Sequence, residues 1–180
     1  MQWSTNIKMY ENTFPNKRFK RTLEFLESVA SPPAKILDLG VENPFSAIMK
    51  DHNYQVENTS GEDLDLHTNV DTANEYDLVT AFEIFEHLIA PFNVLRELKT
   101  KKLVATVPLK LWFANAYRSN TDMRDRHYHE FEDWQFDWLL EKAGWTIKKR
   151  EKWTNPVGKI GIRPLLRNVT PRYYAVYAER

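Results

Sequence analysis

Three groups of residues in this 180-residue chain are of types that can do chemistry. The first is Asp38 with Gly40, in Lys35-Ile36-Leu37-Asp38-Leu39-Gly40-Val41-Glu42-Asn43-Pro44. A carboxylate there is a fixed acceptor for donors such as an ammonium group or backbone N–H, and glycine lets a ligand approach the backbone without a Cβ in the way. The second is Glu86-His87, inside Glu83-Ile84-Phe85-Glu86-His87-Leu88. Neighbours in sequence point in different directions, so this is a poor acid–base pair, and His87 reads as a hydrogen-bonded structural residue. The third is His127-Tyr128-His129-Glu130. His-x-His beside a carboxylate has the character of a metal-ligand set, but no further histidine stands nearby and no metal site is expected.

These groups need elements to hold them. Ile36, Leu37 and Leu39 form a short apolar run that stops at Gly40, and a helix-like segment, Phe45 to Lys50, follows. The pattern is strand, tight turn, helix. In an open parallel sheet, ligands sit at the carboxyl ends of such strands. Ahead of it, Phe19, Leu23, Leu26 and Val29 or Ala30 recur at helical spacing between Asn16 and Ala30, and Ser31-Pro32-Pro33 ends that helix. Its basic residues Lys17, Arg18, Lys20 and Arg21 are expected to face water.

Further strands are predicted at Tyr54 to Val56, Leu78 to Phe82 and Lys102 to Pro108, with Leu64 to Leu66 or Asn69 to Val70 as a weakly marked third. Pro91 opens a helix with Phe92, Leu95 and Leu98 on one face. A firm helix runs from Glu132 or Asp133 to Ala143, with Gly144 as its stop. Trp145 to Trp153 and Arg172 to Glu179 read as a closing antiparallel pair, and Asn155 to Pro171 as the loop between them. Between Leu109 and Arg126, residues Leu111, Trp112, Phe113, Ala116 and Tyr117 suggest a short helix and an aromatic pocket beyond a strand end.

Ile36-Leu37-Asp38-Leu39-Gly40 resembles the first motif of class I S-adenosylmethionine-dependent methyltransferases. Tyr76-Asp77-Leu78-Val79, then Glu83-Ile84-Phe85-Glu86-His87-Leu88, then a Pro-led helix is similar to the fourth strand and turn of the small "type 11" methyltransferases. His127, Phe131 and Ala143-Gly144-Trp145 match a third stretch in the right order. The resemblance implies a three-layer α/β Rossmann-like sandwich with a mostly parallel seven-stranded sheet ending in an antiparallel pair. It also implies S-adenosylmethionine as cofactor and methyl transfer to an acceptor. By it, Asp38, Leu39, Gly40, Ala81, Phe82 and Glu83 belong to the cofactor cleft, Glu86-His87 to its rim, and the leading helix to its cover.

The chain departs from the family twice. Glu42 stands where the family has a second glycine, so its carboxylate would either crowd the methionine end of the cofactor or meet its ammonium group. The place of the ribose-binding carboxylate falls at Ser60, with Glu62 and Asp63 just after. For a base, the candidates are Asp125, His127 and His129.

Composition narrows the rest. No cysteine is present, which excludes disulfides, thiolate metal sites and a cysteine nucleophile. No stretch is long and apolar enough for a membrane span, and Met1 to Tyr10 carries no hydrophobic signal core, so a cytoplasmic protein of one domain is expected, with no membrane partner. Formal net charge is zero, but residues 146–180 carry nine Lys and Arg against two Asp and Glu. A small-molecule acceptor is the favoured partner; a nucleic-acid acceptor met by this basic tail, and an inactive binding module that lost the cofactor, are the alternatives.

Overall fold

The computed structural model describes residues 15–67, 76–123, 125–156 and 158–180. Helix α1 (Pro15–Glu27) leads into strand β1 (Lys35–Asp38), helix α2 (Pro44–Asp51) and strand β2 (Gln55–Asn58). Strand β3 (Leu78–Phe82) passes through a 3-10 turn (Phe85–His87) into helix α3 (Pro91–Glu97) and strand β4 (Lys102–Pro108). Helix α4 (Asp133–Lys142), strand β5 (Thr146–Thr154), helix α5 (Ile162–Val169) and strand β6 (Pro171–Glu179) complete the chain.

The described strands form one six-stranded sheet in the order β2-β1-β3-β4-β6-β5. β2, β1, β3 and β4 run parallel, whereas β6 lies antiparallel to both β4 and β5. Both faces of the inner parallel strands β1, β3 and β4 are buried, which is why these segments read as near-continuous apolar runs, whereas the edge strand β2 exposes Gln55 and Glu57. Leu37, Val79 and Leu103 face one core with Leu95 of α3 and Phe136 and Leu140 of α4. Their neighbours Ile36, Leu78 and Val104 face the other, with Leu26 of α1 and Phe45 and Met49 of α2. Each such fully buried side chain is worth roughly 1.5–3 kcal/mol in apolar burial. Trp145, just after α4, donates its indole N–H to the Leu95 carbonyl at 2.9 Å and so ties the α4 end to α3.

The structure corrects four expectations. The sheet has six described strands, not seven: Leu64–Leu66 forms a turn, while Asn69–Val70 lies outside the described residues. Leu111 to Tyr117 forms turns and irregular backbone, not a helix. The loop expected from Asn155 to Pro171 contains α5. Lastly, Arg18 and Arg21 do not simply face water, since they pair with Glu83 and Glu151 across the fold. Helical periodicity gave the inward apolar stripe, but a long cationic side chain at its margin can bend back over the sheet.

Candidate active site

Asp38 closes β1 as a buried carboxylate. Its Oδ1 accepts from Thr80 Oγ1 at 2.7 Å, and its Oδ2 from Ser46 Oγ at 3.2 Å and Asn58 Nδ2 at 3.1 Å. Three strands and a helix start are thereby gathered at one point. Burial pushes this carboxyl up to about 6, although the hydrogen bonds from Thr80, Ser46 and Asn58 pull the other way. Gly40 follows with φ at +106°, in the left-handed region, and a Cβ there would stand 3.3 Å from Ile84 Cδ1. Conformation demands glycine, and a Cβ would in addition press on the Ile84 side chain. The Gly40 N–H donates to Thr59 Oγ1 at 2.8 Å.

The turn ends in a capped helix. Asn43 Oδ1 accepts from the N–H groups of Phe45 and Ser46 at 2.9 and 3.2 Å, and Pro44 occupies the first helical position. The capping residues therefore fix the turn from the far side while Asp38 fixes it from the near side.

Above the ends of β1 and β3 lies a cavity of about 1110 Å³. Asp38, Leu39 and Gly40 form part of its wall, Phe82 and Glu83 another part, and Arg18, Phe19 and Thr22 of α1 close one side. A second cavity of about 390 Å³ adjoins it over the end of β4, lined by Glu86, Tyr117, Asp125, His127, Glu130 and Arg172 among others. Arg18, Glu83 and His87 belong to both walls. Two chambers meeting at one set of side chains can hold two reactants with their reacting ends together.

Glu83 sits at that junction with φ at +57°, an unusual conformation for a non-glycine residue. Its Oε1 accepts from Thr106 Oγ1 at 3.1 Å and its Oε2 lies 3.6 Å from Arg18. Burial pushes the Glu83 carboxyl up, with Arg18 opposing. Glu86 is more deeply buried, at 1% exposure, and burial followed by the charge of Glu83 holds its carboxyl well above the ordinary range.

His127 packs against the rings of Tyr117 and His87, with centroids 4.6 and 4.7 Å away. Burial pushes its imidazole down to about 4, so it is neutral at pH 7. The segment is held in place by the Glu86 carbonyl, which accepts from the N–H groups of Tyr128 at 2.7 Å and His129 at 3.2 Å.

Not every expected residue reaches a cavity. Glu42 lies outside both walls, exposed and paired with Lys50 at 2.5 Å, so it neither plugs the hollow nor lines it. Ser60 is exposed and outside the wall, whereas Glu62 and Asp63 line the larger cavity. Ala81 is fully buried in the core beneath the site. His129 lines neither chamber; its ring stacks on Phe131 and its Nε2 lies 3.3 Å from the Ile89 carbonyl oxygen. Asp125 and His127 do line the smaller one. Glu86 and His87, expected to diverge, converge instead: Glu86 Oε1 lies 3.8 Å from His87 Nε2. The 3-10 turn produces this, since its tight winding brings neighbouring side chains round more closely than a strand would.

The fold as a whole matches known structures. The fold is that of S-adenosylmethionine-dependent methyltransferases. A SAM-dependent methyltransferase from Archaeoglobus fulgidus is 16% identical, with a TM-score of 0.63 and 100% of both chains covered. One from Mesorhizobium loti is 14% identical with a TM-score of 0.57, over 89% of this chain and 96% of its own. Phosphoethanolamine N-methyltransferase 2 of Haemonchus contortus, in complex with S-adenosyl-L-methionine, is 12% identical with a TM-score of 0.56, over 89% of this chain and 52% of its own. No protein-family model and no curated protein sequence matches the chain.

Proposed function

We propose that the chain transfers the methyl group of S-adenosylmethionine to a small acceptor held in the 390 Å³ cavity. The observation that carries this reading is the meeting of the two chambers at Arg18, Glu83 and His87, over strand ends of a fold shared with methyltransferases. The larger chamber has the volume for a nucleoside carrying an amino acid tail. In it Asp38 and the Gly40 backbone face the amino acid end, and Glu62 or Asp63 receives the ribose hydroxyls in place of the residue expected at Ser60.

The reaction asks little of the side chains. An acceptor oxygen or nitrogen attacks the sulfonium methyl carbon, the carbon–sulfur bond breaks with its electron pair going to sulfur, and the acceptor's proton leaves to a nearby base. Alignment of acceptor, methyl and sulfur supplies most of the acceleration. His127 and Asp125, both in the acceptor wall, are the side chains placed to take the proton.

Calorimetric titration with S-adenosylhomocysteine tests the reading. One-to-one binding is expected, weakened by about tenfold or more in Gly40→Val, because a Cβ at that turn intrudes on the wall. Absence of heat at millimolar ligand would overturn it and leave only the fold.

A further inference from the structure

Glu86, His87 and His127 each offer one ligand atom, and these atoms all lie within 4.8 Å of one another. From this convergence we propose that they form a binding site for one divalent first-row transition-metal ion, with its open positions facing the smaller cavity. The site does not need the cofactor; with the ion bound His127 is a ligand, and Asp125 is then the side chain left to take the acceptor's proton.

The donor set is chemically suited to the ion. Two imidazoles and one carboxylate make a mixed nitrogen and oxygen site of the kind that zinc, iron, cobalt and nickel occupy, and three protein ligands leave positions open for water or an oxygen-bearing ligand. Ligand atoms about 2.0–2.2 Å from such an ion lie at most about 4.4 Å apart, so small side-chain rotations close the set.

Orientation of the ligands is already provided. His87 Nδ1 lies 3.0 Å from the Arg126 carbonyl oxygen, a contact that calls for a proton on Nδ1 and leaves the Nε2 lone pair toward Glu86. A backbone carbonyl fixing one imidazole nitrogen is the usual outer support of a metal-binding histidine. Main-chain hydrogen bonds from Tyr128 and His129 to the Glu86 carbonyl hold the third ligand's segment against the first two.

Two polar atoms in the cluster lack partners. Among the described residues, Glu86 Oε2 and His127 Nδ1 are buried without a hydrogen-bond partner. Buried polar atoms are seldom left so, because each loses its water without replacement. Glu83 has Thr106 and Arg18 to answer its charge, whereas among the described residues the ion-pair partner of Glu86 is His87, at 3.8 Å.

The test is titration of the chelator-treated 180-residue chain with zinc by calorimetry and with cobalt(II) by visible absorption. One equivalent is expected to bind, with the absorption of a nitrogen-ligated cobalt ion. Glu86→Gln, His87→Gln and His127→Ala should each weaken binding by about tenfold or more, while His52→Asn, a surface histidine beside Glu27, leaves it unchanged. Circular dichroism confirms that each variant is folded, and the near-isosteric Glu86→Gln keeps the test alive where His127→Ala fails to fold. Absence of saturable binding by the wild-type chain overturns the proposal, as does binding that persists unchanged in folded Glu86→Gln and His87→Gln.

Discussion

Arg18 of α1 lies 3.6 Å from Glu83 at the end of β3, joining the leading helix to the junction between the two cavities. The side chains are 28% and 15% exposed, so the pair is screened only in part. Arg18 also stands over the rings of Phe19 and Tyr173, at 5.3 and 5.9 Å from their centroids. One side chain thus anchors α1 to the sheet by charge and by ring contact.

Removing Arg18 leaves Glu83 with Thr106 as its one remaining direct partner among those described. Arg18→Met is expected to cost about 1–3 kcal/mol in urea unfolding, because a mostly buried carboxylate loses its counter-charge. Glu83→Gln in the same background should restore part of that loss. An Arg18→Met variant as stable as the parent would show that the pair contributes nothing.

Gly40→Ala should destabilise by about 1–2 kcal/mol, since φ at +106° is strained for any L side chain and Ile84 Cδ1 is only 3.3 Å from the new atom. Thermal unfolding reads the cost directly. A variant as stable as the parent would mean that the turn relaxes, and the close approach would lose its significance.

Asp38 makes stability depend on pH in a definite direction. Burial raises its folded-state value from 3.8 to about 6, so between those limits the folded chain keeps a proton that the unfolded chain has released. Its contribution therefore stabilises below about pH 4 and is lost as pH rises to about 6, a change on the order of 3 kcal/mol. The groups facing it, Thr80, Ser46, Asn58 and Asn43, are all neutral, so none of them titrates in this window. Urea unfolding of wild type and Asp38→Asn at several pH values isolates the effect as a difference in slope. Parallel pH profiles for the two would contradict it.

Glu42 should be silent. Its partner Lys50 is 43% exposed and Glu42 itself 58%, and surface pairs of this kind contribute about 0–1 kcal/mol. Glu42→Gln is expected to leave S-adenosylhomocysteine affinity within about twofold of the parent by calorimetry. A loss of tenfold or more would bring its carboxylate back to the cofactor despite its place outside the wall.

Local pattern was enough for most of the framework. Ile36, Leu37 and Leu39 before Gly40, Leu78 to Phe82, and the alternation of Tyr173 to Ala178 each report burial along a single element, and a single element is what a sequence window samples. The Asp38–Gly40 turn was legible for the same reason, since its glycine, its cap Asn43 and Pro44 are contiguous. Polar segments hid more: α5, with Gly161 before it and exposed apolar residues along it, carries no buried stripe to reveal it.

Tertiary structure alone decided which side chains share a wall. His127 stands beside His87 because the Glu86 carbonyl takes hydrogen bonds from Tyr128 and His129, a register between segments some forty residues apart that no local spacing encodes. The same holds for Arg18, whose place on the rim of a helical stripe left both water and Glu83 within reach. Sequence set the strands, the turn and the residue types at their ends; packing chose the partners, because main-chain hydrogen bonds and charge pairs between distant segments form only once the sheet has brought those ends together.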